Sequence, residues 1–182
     1  MPRYLPFVRL LVGIEAGVLG GLATVGWLLL SSALLHHSAW TVPNLLGSLL
    51  DQNAGPRAGF GAATLAGLAL QLFSTGVAGL LFSLLAGGIR SRRRVMILGV
   101  LVGLVWFYFF QAVAFRKLGA LAWVYTPPRL LLAGHVIFGL VLGCYPWLLA
   151  AGVRPLPASR SRWPNGPPES DGPTGPGGPI FS

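Results

Sequence analysis

Four apolar blocks, residues 10–35, 62–88, 95–115 and 129–151, are separated by short stretches rich in arginine, proline and polar residues. Each block has about the 20 residues that a helix needs to cross the hydrocarbon of a bilayer. The pattern predicts an all-α integral membrane protein, a four-transmembrane-helix bundle occupying residues 1–153. Between the first two spans, residues 43–50 are expected to form a short outer interfacial helix anchored by Trp40, ahead of a break at Asn53, Ala54, Gly55 and Pro56. Residues 154–182 hold eight of the fifteen prolines and five glycines, a composition that cannot bury a core and predicts a disordered cytoplasmic tail.

The two halves read as copies of one helix hairpin. The run Trp40, Thr41, Val42, Pro43, Asn44, Leu45, Leu46 matches Tyr125, Thr126, Pro127, Pro128, Arg129, Leu130, Leu131 at four of seven positions. Residues 84–90 match residues 148–154 at five of seven, and Gly13 and Gly17 map onto Gly99 and Gly103. Two crossings per copy imply a pseudo-two-fold axis along the membrane normal. Chance likeness between leucine-rich segments is the competing explanation. In this alignment the first copy carries the extra residues, near residues 51–61, and the shared Thr-x-Pro motif starts a helix with a threonine cap.

Composition agrees with the membrane assignment, since 54% of residues are hydrophobic and only 9% charged, against about 25% charged in soluble domains. The net charge of +9 does not take the form of a nucleic-acid patch. Its arginines flank the spans: nine basic residues (Arg3, Arg9, Arg90, Arg92, Arg93, Arg94, Arg154, Arg160, Arg162) fall on one side and four (Arg57, Arg116, Lys117, Arg129) on the other. The positive-inside rule then places both termini in the cytoplasm, as expected for a multi-pass protein of a bacterial-type inner or plasma membrane. The first block is too long for the core of a cleaved signal peptide. Cys144 is the sole cysteine, which excludes an intramolecular disulfide and a cysteine-cluster metal site.

Small residues recur every four positions: Gly67, Gln71, Thr75, Gly79 and Ser83 on the second helix, Gly99, Gly103, Phe107 and Gln111 on the third, and His135, Gly139 and Gly143 on the fourth. Such stripes mark faces where helix backbones approach closely, so Gly13, Gly17, Gly21, Gly79, Gly99, Gly103, Gly139 and Gly143 are the expected packing positions. Gln71, Gln111 and His135 all fall in the outer half of the bilayer and are expected to form one intramembrane polar cluster. The plainer alternative is that each bonds a nearby carbonyl and holds helices together.

Glu15 lies about 180° from the glycine stripe of the first helix. It is expected either to reach an arginine of loop 90–94 or to act as an ion or partner site. His36 and His37 point in different directions and make a poor metal pair, so neither metal nor cofactor is expected. Four acidic residues and no nucleophile or phosphate-loop motif argue against catalysis.

A non-catalytic accessory or scaffold subunit, meeting a membrane-protein partner or a second copy in the lipid bilayer, is therefore the leading expectation. The alternative is a small transporter or channel using Glu15 and the polar cluster. Four helices with a carboxylate early in the first resemble the small multidrug resistance family, a likeness that implies transport; the arginine bias and the internal duplication depart from it. A binder of lipid, quinone or haem, carried by His135 and the aromatic run at residues 106–110, ranks last.

Overall fold

A computed structural model describes residues 5–50, 55, 59–116 and 127–152. The tail, Trp123, Thr126 and most of the 51–58 segment lie outside these residues. The described residues hold helices and no strand: α1 Leu5–Leu34, α2 Thr41–Gly47, α3 Ala62–Ala86, α4 Arg92–Phe110, α5 Pro128–Gly143 and α6 Tyr145–Gly152. Four stretches are long and apolar enough to cross a membrane, Pro6–Leu34, Ala62–Ala86, Arg92–Val113 and Pro128–Ala151. In hydrocarbon, helices satisfy every backbone group internally, which is why these runs take that form.

Three boundaries differ from the sequence expectation, each for a local reason. Arg92, Arg93 and Arg94 form the first turn of α4 rather than a loop, behind an extended Ser91 that provides no side-chain cap. The last span is broken at Cys144, because Pro146 has no N–H for the carbonyl of Leu142 and its ring crowds that carbonyl. At its far end α4 continues as a π-turn, Gln111–Phe115, with the Gln111 N–H shared between the carbonyls of Phe107 and Tyr108.

The termination of α1 is set by backbone geometry. His36 adopts a left-handed φ of 54°, its N–H donates to the Ala33 carbonyl at 3.1 Å, and the His37 N–H donates to the Ser32 carbonyl at 2.9 Å. That pair of bonds is a Schellman motif with histidine where glycine is usual.

The helices assemble as two hairpins. α1 runs antiparallel to α3, α4 runs antiparallel to α5, and the hairpins meet along a broad α1–α5 face, whereas the consecutive helices α3 and α4 touch sparsely. At the arginine end, Val12, Ala16, Phe82, Val95, Phe138, Leu142 and Tyr145 form the main core, with the rings of Phe82 and Tyr145 edge to face at 5.9 Å. At the Trp40 end a smaller cluster joins Leu28, Val42, Phe107 and Leu131.

Burial runs opposite to that of a soluble domain. Phe73, Leu84, Val105 and Tyr108 are exposed, while Thr24, Ser31, Gln71, Thr75, Ser83 and His135 are buried. An apolar perimeter around a small-residue, hydroxyl-containing interior suits a multi-pass membrane protein.

Candidate functional site

The interior is organised by close backbone contact. A side-chain carbon at Gly17 or Gly79 would strike the facing helix of the α1–α3 pair, and one at Gly99, Gly103 or Gly139 would strike backbone across α4–α5. Gly13 faces Ser83, Gly21 faces the Thr75 hydroxyl, and Gly143 faces Met96. In both hairpins one glycine of the returning helix nests between two glycines four apart: Gly79 between Gly13 and Gly17, Gly139 near Gly99 and Gly103. By this packing Thr75 takes the place of His135, one turn from the Gln71–His135 match in the sequence alignment. The two also bond alike: the Thr75 hydroxyl donates to the Gln71 carbonyl at 2.9 Å and the His135 Nδ1–H to the Leu131 carbonyl at 2.9 Å.

No hydrogen bond joins Gln71, Gln111 and His135, and different residues lie against each. Gln71 lines a narrow cleft with Val25, Leu28, Val42 and Leu46, on the side of α1 and α2. His135 packs against α4, with its ring 5.4 Å from Phe107 and 6.3 Å from Phe110. Gln111 is half-buried in the π-turn. Their similar depth follows from position along each helix, but the helices turn them towards different neighbours.

Glu15 is exposed on the outward face of α1, in the half nearer the arginine end, beside Leu11 and Leu22, and it forms no ion pair with any described residue. The expected bridge to loop 90–94 is not formed, since at 100° per residue the side chain points away from the bundle. Next to it, Ile14 and Val18 of α1 and Leu72, Phe73, Gly76, Val77 and Leu80 of α3 line an apolar groove of about 360 Å³.

The hairpins are joined by polar contacts between apolar helices. Thr24 donates to the Gly20 carbonyl at 2.9 Å and lies 3.2 Å from the Gly134 carbonyl; the Trp27 indole N–H donates to the Leu130 carbonyl at 2.8 Å.

A further polar knot escapes sequence reasoning. All seven residues of α2 are buried, so the helix is inserted against its neighbours rather than lying open at the interface. Gly67 contacts the Pro43 carbonyl and Gly47 the Ala63 carbonyl, so the backbones of α2 and α3 meet directly. Asn44, fully buried, accepts a hydrogen bond from the Thr64 hydroxyl and donates to the Gly59 carbonyl at 3.3 Å; Thr64 in turn accepts from the Gly61 N–H at 3.0 Å and caps α3. The signal available in the sequence was an asparagine inside a buried apolar run, TVPNLLG, where a polar side chain needs a designated partner.

Cys144 is exposed in the break between α5 and α6. Among the described residues no group of three His, Cys, Asp or Glu comes together. Comparison of the chain with protein-family models, with curated proteins and with solved structures finds no match in any of the three.

Proposed function

We propose that the chain is a non-catalytic accessory or scaffold subunit of a membrane assembly, and that the outward face of α1 docks a transmembrane helix of its partner. Glu15 carries the reading. A carboxylate on the lipid-facing side of a spanning helix is costly, and this one has no ion-pair partner among the described residues. A partner helix bearing a cation or a strong hydrogen-bond donor at the same depth removes that cost, and the adjoining groove along Ile14 and Phe73 accepts its apolar side chains.

The arginine distribution supports an orientation with both termini and loop 90–94 in the cytoplasm. The matching glycine nests support descent of the hairpins from one duplicated unit, related by an axis along the membrane normal. Transport through the bundle is less well supported, because Glu15 lies on the perimeter and the three polar residues do not share a cavity.

Isolation in mild detergent tests the proposal. A stoichiometric partner is expected with the wild type and is expected to be lost with Glu15→Gln, while the variant remains folded. A proton or cation flux in proteoliposomes that disappears in Glu15→Gln overturns it in favour of transport.

A further inference from the structure

At the arginine end, a second cavity of about 400 Å³ opens between α1, the end of α3, the start of α4 and α6, lined among others by Arg9, Gly87, Arg90, Val95, Tyr145 and Leu149. Two arginines therefore line one cavity. Arg9 is half-buried, and the space over Gly87 faces its Nη1. Its backbone is held by Tyr145, whose hydroxyl donates to the Arg9 carbonyl at 3.4 Å.

Among the described residues neither arginine has a carboxylate partner. Glu15 is the only acid among the described residues and forms no ion pair with any of them, whereas Arg92, two residues after Arg90, is engaged over the Trp147 ring at 5.5 Å. Charge is further unbalanced because Arg92, Arg93 and Arg94 occupy the first turn of α4, where the helix dipole already favours an anion. Val95, Pro146 and Leu149 give the same cavity an apolar part of its lining. Exposed Trp147 is the kind of aromatic residue found at headgroup depth.

We infer that this cavity binds a phosphate group, held by Arg9 and Arg90. Guanidinium forks match phosphate oxygens in geometry and charge, and basic pockets between transmembrane helices at the cytoplasmic side commonly take anionic lipid headgroups. The apolar part of the lining suits the glycerol backbone and first acyl carbons of a phospholipid, although free phosphate offers the same oxygens. The inference rests on Arg9, Arg90 and their cavity and not on Glu15, so it stands apart from the docking proposal.

The test uses the full chain, delipidated in detergent and titrated separately with phosphatidylglycerol, with phosphatidylcholine of the same acyl chains, and with inorganic phosphate. Phosphatidylglycerol is expected to raise the melting temperature, and each of Arg9→Gln and Arg90→Gln is expected to weaken its apparent affinity about five- to tenfold. Arg93→Gln, outside the cavity, serves as the control and is expected to leave it unchanged. Arg90 is exposed, so its replacement leaves the packing intact and carries the test even if Arg9→Gln fails to fold. Stabilisation by inorganic phosphate to the same extent, with the same arginine dependence, supports the site and makes free phosphate the source. Equal stabilisation by phosphatidylcholine with the same arginine dependence supports the site, the phosphodiester being the shared group, whereas a response to any of the three that Arg90→Gln leaves unaltered overturns the inference.

Discussion

Removal of the Asn44 side chain tests whether α2 is held by its polar knot or by apolar packing alone. In Asn44→Ala the buried Thr64 hydroxyl loses its acceptor, and an orphaned buried polar group costs about 1–3 kcal/mol. The Gly59 carbonyl also loses a donor, but Gly59 is exposed and water can replace it. The void left by the amide adds about 1 kcal/mol, giving a loss of about 2–4 kcal/mol. Thr64→Val keeps the shape but removes both the hydroxyl and the cap on the Gly61 N–H, worth about 1 kcal/mol for the cap alone. Because the two residues share one bond, the double variant should be less damaged than the sum. Hydrogen bonds measured this way in a membrane protein average about 0.6 kcal/mol and reach about 1.7, so a coupling near 1 kcal/mol is expected. Equilibrium unfolding in mixed detergent micelles, followed by circular dichroism for all four proteins, gives the cycle. A coupling below about 0.3 kcal/mol would falsify the reasoning and leave α2 positioned by Val42, Leu45 and Leu46 alone.

Further outcomes follow from individual positions. Gly17→Ala, whose new carbon meets the facing backbone, should cost about 1–3 kcal/mol, whereas Gly26→Ala, with open space around it, should add about 0.5–1 kcal/mol through helix propensity; the same unfolding assay compares them. His36→Gly should stabilise the end of α1 by about 1 kcal/mol, since glycine carries no penalty at positive φ. Single cysteines at Asn53 and Ser91, in a background with Cys144 replaced, should react with an impermeant reagent from opposite faces of the membrane; labelling of Ser91 from outside reverses the proposed orientation.

The number of spans was legible because length and apolarity alone decide whether a helix can cross a bilayer. So was the small-residue stripe, since a four-residue spacing places Gly13 and Gly17, or Gly99 and Gly103, on one face whatever lies opposite. Azimuth around the bundle was not legible. Gln71 and His135 could be assigned similar depths from their distances to the helix ends, but which neighbour each meets depends on how the two hairpins are turned against each other along the α1–α5 face. The breaks were obscured by opposite errors: arginines at residues 92–94 read as loop although they join α4, and Pro146 was absorbed into a continuous apolar run although it stops α5 at Gly143. Asn44 was seen as part of a Thr-x-Pro start signal, and its role needed the Thr64 hydroxyl, twenty residues away, to become visible.

The sparse meeting of α3 and α4 makes the molecule divisible. A cut within residues 87–91 would leave two fragments, each a closed hairpin with its own glycine nest, and would sever no helix. What remains to join them is the face of α1 against α5 and α6, with Phe138 over Gly20, Thr24 at the Gly134 carbonyl, Trp27 bonded to Leu130 and Tyr145 bonded to Arg9. That face is in effect a subunit boundary inside a single chain, so two separately translated halves should find each other in the membrane, and the linker between them governs encounter frequency more than final structure.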